Sequence, residues 1–358
     1  MALRVMVMAG GTGGHVFPAL AVADELATRG MEVCWLGVPN SFESRVVPEH
    51  GYPIEWINIE GLRGNGVLRW LVAPLKLLYA MYQAFGALRR RRPALVLGMG
   101  GFVTGPGGVV ARLLGIPLVI HEQNAFPGLT NRLLARIAGR VLEAFPGSFD
   151  RRQTEVTGNP VRADIAAIDE PVARLGDRTG RLRLLILGGS QGAQVLNETV
   201  PAALALIDGE QRPQVRHQAG RDKDELTRKS YDQLGVKAEV SAFVTDMKEA
   251  YSWADLVVCR AGALTVAELA AAGVGAILVP YPHAVDDHQT RNGGYLADEG
   301  AALLLPQKRM TPELLAEMLT RLCEERGEVM KMAVTARSLA LPKATQRVAD
   351  ICQEVAGR

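Results

Sequence analysis

The sequence predicts an α/β chain of two tandem domains, each a parallel sheet covered by helices. Three observations carry that expectation. Short apolar runs alternate with longer helical patterns along nearly the whole chain, which is the signature of βαβ units. The turn Gly10-Gly-Thr-Gly-Gly14 follows the first apolar run, and its match, Gly188-Gly-Ser-Gln-Gly192, follows another almost half the chain later. The length of 358 residues suits two domains of ordinary size.

Taken in order, residues 3–8 read as a strand, the first glycine turn follows, and a helix is expected over 18–28, closed near Gly30. Strands are expected at 33–36 and 54–57, a helix at 71–88, a buried strand at 95–97, a helix at 107–114 and a strand at 118–121. The second half restarts with a strand at 182–187, the second glycine turn and a helix from Ala193. Further strands are expected at 215–219, 238–242, 256–259 and 276–279, and a helical tail over 341–358. A linker near Gly158-Asn-Pro-Val161 joins two Rossmann-like units. The first domain is expected to span residues 1–161 and the second 162–340, with the tail packing back on the first.

Composition narrows the function classes. Hydrophobic residues make up 48% and charged residues 22% of the chain, which suits a folded protein with a sizeable core. The four cysteines, Cys34, Cys259, Cys323 and Cys352, are far apart and form no C-x-x-C pair, which argues against a zinc site or a disulfide framework and fits a reducing compartment. Charge is uneven: residues 1–161 carry 16 Lys/Arg against 11 Asp/Glu, and residues 162–358 carry 24 against 27. No acid occurs between Glu60 and Glu122, and that basic field suggests an anionic partner for the first half, with no nucleic acid implied. Residues 70–88 approach the length of a membrane span, but Pro74, Lys76 and Gln83 interrupt them and place the stretch among the helices of the fold. Leu71, Leu75, Leu78, Tyr82 and Phe85 share one face of that helix. With Trp70, Tyr79, Arg63, Arg69, Lys76 and Arg89 to Arg92 around it, the face suits peripheral docking on an anionic leaflet. The plainer alternative is that this face packs on the sheet.

Glycine turns between strand and helix let anions approach the backbone at a helix N-terminus. A third cluster, Gly98-Met-Gly-Gly-Phe-Val-Thr-Gly-Pro-Gly-Gly108, also follows a strand. The first turn is a poor dinucleotide fingerprint, since Val16 stands where the last glycine of G-x-G-x-x-G belongs and no acid ends the second strand. There is also no G-x-x-x-x-G-K-[ST] phosphate loop. His15 follows the first turn and is a candidate general base, imidazole being the side chain that titrates around neutrality. A helix cap or a packing histidine is the plainer reading. In Arg260-Ala-Gly-Ala-Leu-Thr-Val-Ala-Glu268, the amides near Thr265 suit phosphate and Glu268 suits two ribose hydroxyls. A capping box between Thr265 and Glu268 is the alternative there. Asp222-Lys-Asp224 and the set His283, Asp286, Asp287 and His288 have metal-ligand chemistry. They read better as an acidic first helical turn and a loop at the rim of a site.

With these residues in place, the sequence resembles the bacterial peptidoglycan glycosyltransferases that add N-acetylglucosamine to undecaprenyl-pyrophosphoryl-N-acetylmuramyl-pentapeptide. The resemblance rests on Gly10-Gly-Thr-Gly-Gly-His-Val-Phe-Pro-Ala-Leu20, Gly98-Met-Gly-Gly-Phe-Val-Thr-Gly-Pro106, His121-Glu-Gln-Asn124 and Thr157-Gly-Asn-Pro-Val-Arg162. It continues through Gly188-Gly-Ser-Gln-Gly-Ala193, the Arg260 to Glu268 segment and Asp286-Asp-His-Gln289. It implies two Rossmann-like domains facing across a cleft, the glycosyltransferase B architecture. It also implies UDP-GlcNAc as donor, inversion at the anomeric carbon and no cofactor.

Carried over by position, Thr12, Gly13, Gly14 and Asn124 meet the donor from the first domain. Arg162, Ser190, Val244, Ala263, Leu264, Thr265, Val266, Ala267, Glu268 and Gln289 meet it from the second. The backbone of Val244 would read the uracil and Glu268 the ribose. His15 is the first choice of base and Glu122 the second. The family often has Tyr and Ser where Phe102 and Thr104 stand. The implied partners are the undecaprenyl-linked MurNAc-pentapeptide acceptor and the anionic inner leaflet of the cytoplasmic membrane, with room for other cell-wall or division proteins. Rival readings are a UDP-GlcNAc 2-epimerase, a glycolipid synthase, or a nucleotide-sugar-binding regulator without turnover.

Overall fold

The computed structural model describes residues 3–60, 67–150, 153–189 and 191–357; the side chains of residues 67–71 and of Val285 are outside that description. The chain divides into two compact units, one of residues 1–162 with 341–358, the other of residues 163–340.

The strands of the first unit are β1 (Arg4–Met8), β2 (Glu32–Gly37), β3 (Ile54–Trp56), β4 (Leu95–Gly98), β5 (Leu118–Glu122), β6 (Arg140–Glu143) and β7 (Glu155–Val156). They form one sheet in the order β3-β2-β1-β4-β5-β6-β7, and every pairing is parallel. The strands are apolar without alternation because both faces are covered, as parallel sheets require. Val5 and Val7 face one core and Met6 and Met8 the other. The helices are α1 (Gly13–Thr28), α2 (Glu43–Glu49), α3 (Val67–Arg91), α4 (Thr104–Leu113) and α5 (Leu129–Leu134).

In the second unit, β8 (Arg183–Leu187), β9 (Gln214–Gln218), β10 (Glu239–Ser241), β11 (Leu256–Cys259), β12 (Gly275–Leu278) and β13 (Ala302–Leu304) form an all-parallel sheet, ordered β10-β9-β8-β11-β12-β13. Its helices are α6 (Ala163–Ala166), α7 (Pro171–Leu175), α8 (Gln194–Ala205), α9 (Asp224–Gln233), α10 (Met247–Trp253), α11 (Ala263–Ala272), α12 (His288–Ala297), α13 (Pro312–Glu324) and α14 (Arg326–Ser338). The last helix, α15 (Ala344–Ala356), returns to the first unit. It buries Val348, Ala349, Ile351 and Cys352 in the core beside α1, and Asp350 accepts a hydrogen bond from Arg29 at 2.6 Å.

Both sheets follow the doubly wound order, with the reversal of strand order between β1 and β4 in one unit and between β8 and β11 in the other. In open α/β sheets, ligands bind at the carboxyl ends of the strands at such a switch point. Several expected boundaries move: α3 runs over Val67–Arg91 against an expected 71–88, and α4 starts at Thr104 against an expected 107. α1 starts at Gly13 and not at Pro18, so Pro18 lies inside the helix and His15 falls in its first turn.

Candidate functional site

In the first unit, the loop after β1 and the loop after β4 lie side by side at the switch point. Their contact depends on missing side chains. A Cβ on Gly101, where φ is +87°, would stand 2.4 Å from the Gly10 carbonyl oxygen. Thr104, fully buried, donates to the carbonyl of Gly100 at 2.8 Å and ties the second loop down. Phe102 is exposed at its tip. From beneath, Glu43 holds the first loop: its carboxylate accepts from Gly11 N at 3.0 Å and from Val38 N at 3.1 Å. Glu43 is fully buried. Nothing in the spacing of the sequence marks it, because a charge buried to satisfy loop amides carries no motif.

His15 rises from this floor half-exposed. Its Nδ1 is 2.8 Å from Oε1 of Gln123, in the loop after β5. The ring lies against Gly100, where a Cβ would come within 2.6 Å of Nδ1. Gly100 therefore serves two needs, a φ of +95° and a flat wall for the imidazole. Gly100→Ala should displace the ring and strain the backbone, with about 1–3 kcal/mol lost in stability. Thermal melts on the purified variant check this.

Glu122, the second candidate base, ends β5 and is buried. One oxygen accepts from the backbone and side-chain nitrogens of Asn124, both at 3.0 Å. The other accepts from Gly128 N at 3.2 Å and Asn131 Nδ2 at 2.9 Å. A carboxylate so engaged shapes the loop that carries Asn124. Glu143 does the same at the end of β6, accepting from Gly147 N, Phe149 N and Thr154 Oγ1, each at 3.2 Å. Thr12, Gly13 and Gly14 form the cap and first residues of α1, with Thr12 and Gly14 exposed. Arg162 closes the linker at the edge of this unit.

The second unit also carries a glycine turn after its first strand, β8, here held against the loop after β9. Gly192, at φ +69°, lies so close to the loop after β9 that a Cβ would sit 2.1 Å from the Ala219 carbonyl oxygen. Ser190, in the same turn, lies outside the described residues. α11 starts at Ala263 with Gly262 as its cap and no side chain capping it. The amides of Ala263, Leu264 and Thr265 thus form an uncapped first turn, which favours an anion. Thr265 is inside that turn, so the capping box with Glu268 does not form. Val266 is buried and Ala267 half-buried behind it. Glu268 is 7% exposed, and the Tyr251 hydroxyl donates to its carboxylate at 3.1 Å.

Val244 lies between β10 and α10, half-buried. Gln289, on the first turn of α12, accepts from Tyr281 N at 2.9 Å. Arg260 lies 5.4 Å from the Tyr281 ring and donates to the carbonyls of Val279 and Pro280, and burial lowers its pKa. Each of these residues belongs to a loop or helix start at the carboxyl end of its sheet. Among the described residues, no three His, Cys, Asp or Glu side chains cluster as a metal site. Asp224 is the first residue of α9, where an acid complements the helix N-terminus.

A separate surface lies on α3. The helix turns Ala80, Ala84, Ala87 and Leu88 to the core, each fully buried. Its large apolar side chains face outward: Leu75 is 67% exposed, Leu78 61%, Tyr79 55% and Tyr82 72%, with Phe85 beside them. Small residues carry the packing, so the apolar face does not pack on the sheet. Leu71, Trp70 and Arg69 fall where side chains are not described, and Arg63 outside the described residues. The basic rim is partly paired, because Glu55 holds Arg90 at 2.6 Å and Arg91 at 2.8 Å, and Glu60 holds Lys76 at 3.1 Å. Among the described residues, no helix is long and apolar enough to cross a membrane.

The glycosyltransferase family 28 N-terminal domain matches residues 5–143, and the C-terminal domain of the same family matches residues 183–355. The chain is 57% identical over 99% of its length, and 98% of the relative's, to the UDP-N-acetylglucosamine--N-acetylmuramyl-(pentapeptide) pyrophosphoryl-undecaprenol N-acetylglucosamine transferase of Marinobacter nauticus. It is 58% identical to the enzyme of that name from Nitrosococcus oceani, over 99% of both chains. The crystal structure of Acinetobacter baumannii MurG matches with a TM-score of 0.87 at 46% identity, over 98% of this chain and 99% of that one. UDP-GlcNAc 2-epimerase from Neisseria meningitidis shares the fold at a TM-score of 0.67 and 13% identity, over 98% of this chain and 100% of that one.

Proposed function

The chain belongs to glycosyltransferase family 28, among the transferases of the lipid-linked peptidoglycan precursor, and from that premise we infer its reaction. It moves GlcNAc from UDP-GlcNAc to the C4 hydroxyl of undecaprenyl-pyrophosphoryl-MurNAc-pentapeptide, giving a β-(1→4) disaccharide and UDP. The observation that carries this is identity above one half with such transferases across 99% of the chain. The epimerase shares only the fold at 13% identity, which gives that rival no support of its own.

In this reading the acceptor hydroxyl gives its proton to His15 as its oxygen attacks the anomeric carbon, on the face opposite the departing UDP. Charge growing on the diphosphate is met by the amides at the start of α11 and by the glycine turn after β8, fixed donors that need no reorganisation as the bond breaks. Glu268 accepts from the ribose hydroxyls, and the Val244 backbone pairs with the uracil. Thr12, Gly13, Gly14, Asn124, Arg162 and Gln289 complete the donor contacts. The test is incubation with radiolabelled UDP-GlcNAc and a short-chain lipid-linked acceptor, followed by linkage analysis. A β-(1→4) disaccharide on the lipid is expected. Epimerised sugar formed without acceptor, or transfer only to a diacylglycerol, would overturn the assignment.

The acceptor's polyprenyl tail stays in the bilayer, so the enzyme works at the cytoplasmic face as a peripheral protein. The outward apolar face of α3 supports docking there, with Arg89 and Arg92 as exposed cations beside it. Replacing Leu75, Leu78 and Tyr82 together with Ser should reduce binding to anionic vesicles by about tenfold or more, at about 0.8 kcal/mol per CH₂ no longer inserted. Arg89→Gln with Arg92→Gln should weaken binding less and flatten its salt dependence. Activity on a water-soluble acceptor should survive both sets of changes. Vesicle binding unchanged in a co-sedimentation assay would defeat docking through α3.

A further inference from the structure

His15 is not placed alone. Gln123 Nε2 is 3.1 Å from Nδ1 of His121, and Nε2 of His121 is 2.9 Å from the carbonyl oxygen of Gly158. With the 2.8 Å contact between Gln123 Oε1 and His15 Nδ1, this makes an unbroken chain from the linker to the reactive imidazole. His121 and Gln123 are both buried, at 0% and 1% exposure.

Each link has only one consistent polarity. A backbone carbonyl only accepts, so Nε2 of His121 carries a proton. Burial drives the pKa of His121 down to about 4, so near neutrality the ring holds that single proton and its Nδ1 is a bare acceptor. The group facing Nδ1 must then donate, which makes it the NH₂ of Gln123 and turns the amide oxygen to His15. An amide oxygen only accepts, so Nδ1 of His15 carries the proton and the lone pair lies on Nε2. Among the described residues, nothing hydrogen-bonds to that Nε2. A neutral histidine in water prefers the opposite tautomer, with the proton on Nε2, which would leave a base no lone pair at that atom.

We propose that Gln123 and His121 are positioning residues that read the Gly158 carbonyl and lock His15 in the Nδ1–H tautomer, with Nε2 bare for the acceptor hydroxyl. The inference rests on His15 being the base. It explains why an amide stands where many enzymes place a carboxylate behind a catalytic histidine. A carboxylate would orient His15 equally well, but it has no donor for His121 and would leave that buried ring facing an anion.

The test uses full-length enzyme labelled with ¹⁵N-histidine, its His15 signal identified by its loss in His15→Ala. Long-range ¹H–¹⁵N spectra report which ring nitrogen holds the proton. In the wild type, Nδ1–H with a bare Nε2 is expected. Gln123→Leu should move His15 toward Nε2–H and lower kcat by about 10–30-fold, a part of the roughly 10²–10⁴ that general-base help is worth. KM for UDP-GlcNAc should hold. Gln123→Glu keeps an acceptor for Nδ1–H, so it should retain the tautomer and recover most of kcat. It should also shift the acidic limb of the pH–rate profile upward, because the anion favours the imidazolium.

A wild-type His15 protonated on Nε2 overturns the proposal, and that result stands even where Gln123→Leu fails to fold. So does a Gln123→Leu enzyme with unchanged tautomer and kcat. Loss of turnover in His15→Ala alongside full turnover in Gln123→Leu removes only the relay. Full turnover in His15→Ala removes the base assignment on which the relay depends.

Discussion

His15→Ala should lower kcat by about 10²–10⁴-fold, equivalent to about 3–5 kcal/mol of transition-state stabilisation. The affinity for UDP should change far less. His15 belongs to the first unit, and the proposed donor contacts are mostly in the loops after β8, β10, β11 and β12. The imidazole is half-exposed and supported by one hydrogen bond and the Gly100 wall, so its removal opens no large cavity and the fold should persist. Single-turnover rates with saturating donor isolate the chemical step, and calorimetry with UDP measures the affinity. Near-normal turnover at neutral pH would take His15 out of the role. Glu122→Gln is the companion experiment. Because both Glu122 oxygens hold loop nitrogens, its cost should appear in donor binding and melting temperature more than in the chemical step.

The parallel strands were legible because a strand buried on both faces is an apolar run that little else in a soluble chain produces. The runs ending at Met8, Leu97 and Leu187 are of this kind. The three glycine clusters were legible for the same reason in reverse: only glycine allows backbone to approach backbone at Gly101 and Gly192. β6, β7 and β13 escaped notice, being short and bordered by charged or small residues. The start of α1 was missed because Pro18 looks like a first-turn residue, and two glycines precede His15 where a helix former would announce a helix.

What no spacing could reveal is the set of acids and amides that hold the loops from below. Glu43, Glu122 and Glu143 satisfy amides from residues up to 32 positions away, and Gln123 reaches His15 from 108 positions away. Such partners become neighbours only when the strand order is known. The face of α3 shows the converse failure of pattern reading. Periodicity found its apolar stripe but could not say which way it points, and the alanines on the other side decide that.

Glu268→Ala should weaken UDP binding by about 1.5–3 kcal/mol, the range for hydrogen bonds to a charged group. The carboxylate sits on α11 two residues beyond Val266, which is fully buried, and Tyr251 holds one of its oxygens from within the core. It is therefore oriented before any ligand arrives, and it does not cap the helix, whose cap is Gly262. Two outcomes separate ribose recognition from a purely internal role. A 2′,3′-dideoxyuridine diphosphate offers no hydroxyl to accept from, so the loss caused by Glu268→Ala should shrink to a small remainder with that ligand. An internal role would weaken both ligands equally, through disorder of α11 and of the first-turn amides proposed to meet the diphosphate. Glu268→Gln sharpens the comparison, since it keeps an oxygen for the ribose but surrenders the charge, and should fall between the wild type and Glu268→Ala for UDP alone. Equal losses for the two ligands in the alanine variant, measured by calorimetry at one salt concentration, would mean that Glu268 supports the helix and that the ribose is read elsewhere.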